Sequence, residues 1–210
     1  MSIPASLAVS KMRMPETEES LTKGTVTIPP SDEPRKVNAL HAFSDGAWMG
    51  LLIAGTIVSN LLVIIALVAL IDAFLGWVGG FIQVPQLSLT LIMGYLFYPV
   101  AAALGVPGRD IYKVAQLLGI KIIENEFVAF TALSSNPTYT AMSPRLRLIA
   151  TYALCGFGNL GSVGIQIGIL GQLAPKKKQV FAKVAISALL TGVLATLMSA
   201  SIAGMVLTDE

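Results

Sequence analysis

Three polar side chains stand in surroundings that should exclude them. Glu126 lies in ENEFVAF, followed by Phe127, Val128, Ala129 and Phe130, while Asn159 and Ser162 lie in CGFGNLGSVGIQIGILG, residues 155–171. A carboxylate held deep in a membrane costs roughly 2.5–3.5 kcal/mol on insertion scales. An inserted Glu126 must therefore face a cavity, a counter-charge or a ligand; an interfacial one, in water, needs none of these. Asn159 and Ser162 are three apart and can share one side of a helical turn. Six glycines punctuate the same stretch, Gly156, Gly158, Gly161, Gly164, Gly168 and Gly171, each costing a helix about 1 kcal/mol relative to alanine. Gly158 and Gly161, beside the two polar residues, permit unwinding, and freed backbone groups persist in lipid only where protein buries them or they line a cavity. Gly164 and Gly168 have the GxxxG spacing of close helix packing. Packing alone is also the competing reading for Asn159 and Ser162.

The chemistry on offer is binding, not catalysis. No nucleophile is paired with a base, no phosphate-cradling glycine loop follows a strand, and no cluster has metal-ligand spacing. One histidine and one cysteine do not make a zinc site. His41 reads as a surface residue near the first span, and Cys155 as a small apolar packing residue.

The elements that must position these groups follow from hydropathy. The chain has 210 residues, of which 54% are hydrophobic and 12% charged, and its mean hydropathy is +0.74. A soluble domain carries about 25% charged residues. Charges are absent from 46–71, 148–175 and 184–208, each run longer than the ~20 residues that cross a bilayer as a helix. The sequence therefore predicts an all-α integral membrane protein. A net charge of +2 is too mild to indicate nucleic acid.

Residues 1–45 read as an N-terminal interfacial helix and an aqueous, Pro-rich loop. No signal peptide is recognisable, so the first span can act as the targeting signal. Ala47–Ile71 is that span, within a unit at 46–78, with Gly50, Ala54 and Ser59 as small residues for close helix approach. Residues 73–108, broken by Gly76, Gly79, Gly80, Pro85, Pro99 and Pro107, read as interfacial or partly inserted helices. From residue 79 on they belong with the remainder as one unit at 79–210. In 111–137 two apolar stretches flank the polar centre ENE, each too short to span alone. A re-entrant hairpin and an amphipathic surface helix both fit. A broken helix at 146–174 and a final span at 184–208 complete the chain. Lys176, Lys177, Lys178 and Lys183 place the 176–183 loop in the cytoplasm and the C-terminus outside.

Four segments carry a family resemblance. They are PASLAVSKMRMPETEES, GYLFYPVAAALGVP, LLGIKIIENEFVAF and TYALCGFGNLGSVGIQIGILGQLAP, residues 4–20, 94–107, 117–130 and 151–175. Together they resemble the C-terminal half of the concentrative nucleoside transporters over about residues 4–207, with the NEFVA and CGFxNxxS motifs intact. The resemblance implies the second half of an inverted-repeat transporter: a sodium- or proton-coupled nucleoside carrier, not an enzyme. It further implies a homotrimer built on the Ala47–Ile71 scaffold span, an elevator-like movement of the rest, and a plasma-membrane location. It assigns ribose binding to Glu126, Asn159 and Ser162 and a pocket-lining role to Phe157. A carboxylate and an amide can grip vicinal hydroxyls, and sites built to bond a hydroxyl reject analogues lacking it.

The departures are few. Gly158 stands where the family has alanine or another small residue, and His41 lies where an acidic residue is common. The family's first repeat, with its base-reading motif and cation site, does not appear in these residues. The chain is accordingly expected to hold no cofactor and no metal site of its own, and not to transport alone. The alternative is a truncated, non-transporting subunit that modulates a full-length carrier.

Overall fold

The computed structural model describes residues 2–17, 19 and 37–207, and every regular element among them is helical. Most of the predicted aqueous loop, and residues 208–210, lie outside the described residues. Helix α1 (Ser2–Arg13) packs along the last helix. Asn38 starts α2 (Ala39–Phe81) by accepting a hydrogen bond from the His41 amide at 2.8 Å. His41 itself is a surface residue, paired with Asp45 at 3.4 Å.

Helix α2 corrects the predicted span at both ends. It has 43 residues, roughly 65 Å at 1.5 Å per residue, about twice the hydrocarbon thickness. The charge at Asp72 does not end it. Instead the carboxylate accepts a hydrogen bond from the Leu89 amide at 2.6 Å, tying the next helix, α3 (Leu89–Leu96), to the side of α2. Nor do Gly76, Gly79 and Gly80 break it. Gly79 is where the returning chain comes closest, with the Val84 carbonyl occupying the place of a side chain. Residues 73–81 are thus helix α2, not separate interfacial pieces. Only 6% of its most apolar window is buried, so its surface is left for lipid or another chain. Gly50, Ala54 and Ser59 lie on exposed parts of that surface.

Short helix α4 (Tyr98–Ala103) leads into α5 (Ile111–Ile123), α6 (Glu126–Ser135), α7 (Pro137–Thr140) and α8 (Pro144–Leu154). Helix α9 (Leu160–Leu173), a 3-10 turn at Pro175–Lys177 and α10 (Lys178–Val206) follow. Lys178 and Lys183 belong to α10, so the predicted basic loop shrinks to the turn before it. Helices α2 and α10 are long and apolar enough to cross a membrane.

The core lies where α5 meets α8. Leu146, Ile149, Ala150, Ala153 and Leu154 form one buried stripe of α8, and Ile111, Val114, Ala115 and Leu118 one of α5. Both follow the i, i+3, i+4, i+7 pattern of a helix face. Helix α3 crosses α5 with glycine against side chain in both directions. A β-carbon on Gly119 would stand 2.7 Å from Met93 Cβ, and one on Gly94 2.9 Å from Gln116 Cγ. The crossing brings Tyr112 beside Tyr95, at 5.1 Å between ring centres.

Candidate functional site

Both interrupted segments fold as two half-helices, and the two breaks meet. In the first, α5 ends at Ile123 and α6 begins at Glu126. Asn125 is extended and buried, and its side chain accepts from the Val128 amide at 2.9 Å, capping α6. In the second, α8 ends at Leu154 and α9 begins at Leu160, capped by Asn159. The Asn159 carbonyl oxygen Oδ1 accepts from the Ser162 amide at 2.7 Å, while Ser162 Oγ accepts from the Asn159 amide at 3.1 Å. This reciprocal capping box satisfies amides that a helix start otherwise leaves unpaired.

Across the gap, Asn159 Nδ2 donates to Glu126 Oε2 at 2.8 Å. The two helix N-termini therefore converge on one carboxylate, where the positive ends of their dipoles favour an anion. The arrangement brings together Glu126, Asn159 and Ser162, with Asn159 and Ser162 buried. Glu126 Oε1 makes no hydrogen bond among the described residues. The Ser162 hydroxyl is committed to the cap, donating to the Asn159 carbonyl at 2.6 Å. As it stands, Ser162 shapes the site by holding Asn159 rather than by offering a free hydroxyl.

Phe157 lies in the second break and is 52% exposed. It borders a cleft of about 390 Å³ between α1, α9 and α10, lined also by Gly158, Ser162, Gln166 and Thr196. Glu126 is absent from that lining, so Phe157 and Ser162 link the cleft to the polar pair. Cys155 corrects its expectation: it is exposed at the end of α8 and does not act as core packing.

The glycines divide differently from the sequence prediction. Gly161 falls inside the first turn of α9, where a β-carbon would press on Asn159 Oδ1 at 3.2 Å and Ile64 Cγ1 at 3.4 Å. It makes room for the cap instead of unwinding the helix. Gly164 faces Asn60 and Gly168 faces Thr56 on α2, the close packing expected of their spacing. Gly156 is the tightest point of the break, since a β-carbon there would collide with the side chain of Thr196. Thr196 is β-branched and stiff, with its hydroxyl bonded to the Gly192 carbonyl at 3.0 Å. Gly156→Ala is expected to destabilise by about 1–3 kcal/mol through overpacking, read as a lower thermal midpoint in detergent. Thr196→Ala in the same chain should restore the midpoint; no drop in the single variant would show that the break relaxes freely.

Two contributors escape a reading by motif. Asn125 is recognisable only as an N-cap three residues before Val128. Lys121 is a lone cation in LLGIKII, and its Nζ donates to the Ala153 carbonyl at 2.7 Å. Among the described residues no group of three or more His, Cys, Asp or Glu could hold a metal ion.

Comparison with known proteins agrees with this architecture. Residues 1–204 match the family described as Na+ dependent nucleoside transporter C-terminus. The chain is 40% identical over 223 residues to solute carrier family 28 member 3 of Eptatretus stoutii, covering 100% of this chain and 32% of that protein. It is 36% identical over 220 residues to sodium/nucleoside cotransporter 1 of Rattus norvegicus, covering 98% of this chain and 34% of that protein. Among solved structures, a single-residue variant of CNTnw in the intermediate 2 state superposes with a TM-score of 0.84 at 35% identity. That match covers 98% of this chain and 49% of the CNTnw chain. The chain thus spans about a third of the length of these curated relatives and half of the solved carrier. The relatives bear the names of transporters rather than enzymes, and the fold is that of an integral membrane transporter. Matched along almost its whole length, the chain belongs to the Na+ dependent nucleoside transporter C-terminal family.

Proposed function

We propose that this chain supplies the ribose-gripping half of a cation-coupled nucleoside carrier. The observation that carries the reading is the 2.8 Å bond between Asn159 and Glu126, which brings two helix breaks 33 residues apart onto one point. An amide donor beside a carboxylate acceptor matches a pair of neighbouring hydroxyls. One hydroxyl donates to Glu126 while accepting from Asn159 Nδ2, and the other reaches Glu126 Oε1. Broken helices are where membrane carriers place such sites, near the bilayer midplane. In this reading α5 and α6 form a re-entrant hairpin, and Phe157 lines the approach to the sugar. Helix α2 is the scaffold of a homotrimer, past which the remaining helices carry the site in an elevator movement. The turn at 175–177 faces the cytoplasm, the C-terminus faces outside, and the plasma membrane is the location. The cation, sodium or proton, is held elsewhere in the assembled carrier.

The test is a chimaera in which residues 2–207 replace the matching half of CNTnw. Cells without nucleoside uptake of their own should gain cation-dependent uptake on expressing it. A chimaera that reaches the membrane and binds no nucleoside would overturn the assignment.

A further inference from the structure

Among the described residues one lysine is fully buried, and the binding scheme above does not use it. Lys121 is 1% exposed. It continues the buried face of α5, seven residues after Val114 and three after Leu118, so helix geometry alone turns it inward. Burying an ammonium group is costly unless it is paired and hydrogen-bonded. What it meets is the end of α8, where the last carbonyls have no partner within the helix. Cys155 N returns to the Thr151 carbonyl at 3.1 Å, and Lys121 Nζ takes the Ala153 carbonyl at 2.7 Å. A cation at that end also suits the negative pole of the helix dipole. Glu126 opens the next helix five residues on, and both side chains engage the second break, Lys121 at Ala153 before it and Glu126 at Asn159 after it.

The charges are thus sorted by helix polarity. The two N-terminal ends, of α6 and α9, share the Glu126 carboxylate. The C-terminal end of α8 holds the Lys121 ammonium, which the last turn of α5 carries. In carriers with discontinuous helices, such carbonyl-rich ends coordinate a cation taken from solution. Here the chain brings its own. We propose that Lys121 is a positioning residue, a tethered cation that pins the end of α8 and acts as fixed counter-charge to the Glu126 carboxylate. A nucleoside is uncharged at its sugar and base, so it cannot supply that counter-charge itself. The effect on uptake rests on the proposed function; the charge pairing does not.

The test separates the two. The full chain, purified in detergent, is compared with Lys121→Met, Lys121→Arg, Glu126→Gln and the Lys121→Met/Glu126→Gln double variant. If charge is what matters, Lys121→Met lowers the thermal midpoint more than Lys121→Arg, although methionine is the smaller disturbance of volume. Glu126→Gln added to Lys121→Met then recovers part of the loss, because neighbours that interact are not additive. Additive effects, or a midpoint order set by volume, would overturn the proposal. Should Lys121→Met fail to accumulate, recovery of expression by Glu126→Gln replaces the midpoint as the readout, and no recovery counts against it. In the CNTnw chimaera, Lys121→Met should raise KM about tenfold, leave the maximal rate within about twofold, and be largely corrected by Lys121→Arg. Non-additive midpoints without uptake in the parent chimaera would sink the nucleoside reading alone.

Discussion

Glu126→Gln in the CNTnw chimaera is expected to reduce nucleoside uptake on the order of a hundredfold at unchanged membrane expression. The substitution keeps the shape of the side chain and leaves an oxygen for Asn159 Nδ2, which now lies 2.8 Å from Oε2. What it removes is charge. Hydrogen bonds to a charged group are worth about 1.5–3 kcal/mol each, and two sugar hydroxyls would lose them together. A nucleoside lacking those hydroxyls gives the sharper measurement. It should be a poor substrate of the parent chimaera and respond little to Glu126→Gln, so that the preference for ribose collapses in the variant. Uptake within about twofold of the parent, with the ribose preference intact, would remove Glu126 from the site.

The second large effect is at Asn159, where two jobs can be separated. Asn159→Ala removes both the cap of α9 and the donor to Glu126. Loss of an N-cap alone costs about 0.5–2 kcal/mol, so the variant should unfold at lower temperature as well as lose uptake. Asn159→Asp keeps an oxygen for the Ser162 amide, now bonded at 2.7 Å, and so keeps the cap. It replaces the donor with a second carboxylate facing the first, and like charges at that separation repel. The expected result is uptake lost at neutral pH and a thermal midpoint lowered by the repulsion, while adding Glu126→Gln removes the second charge and should return the midpoint close to the parental value. If that double variant were as unstable as Asn159→Ala, the capping role would need revision. If Asn159→Asp transported normally, the polar pair would not be the binding element.

These two side chains were legible before any coordinates, because each violates its surroundings. A carboxylate among phenylalanines and an asparagine among glycines both demand a partner, and each turned out to be the other's. The breaks were legible too, since glycines and the ENE centre cannot continue an apolar helix at low cost. The extent of α2 was not. Asp72 reads as the end of a span until one knows that its carboxylate binds the Leu89 amide, a contact 17 residues away that no local pattern announces. Gly161 reads as a point of unwinding, and Gly156 carries no reading at all, for a similar reason: the fit against Ile64 and the collision with Thr196 depend on which helices lie alongside. Lys121 escaped because one cation in an apolar run looks like an interfacial residue. Only the buried face of α5 turns it into an interior one.

The bond between Asn159 and Glu126 also bears on the journey without cargo. A carrier must bring its site back across the bilayer empty, and a bare carboxylate and amide would then travel through a medium that cannot solvate them. In this chain the Asn159 amide and one oxygen of Glu126 bond each other across the gap, and only Oε1 is left over. If this chain grips a sugar as proposed, the sugar enters partly by exchange, taking over a hydrogen bond that already exists. Binding should therefore be weaker than the sum of its contacts, and the unloaded return correspondingly cheaper. On the proposed function, one short contact between two helix ends would bear on both directions of the cycle.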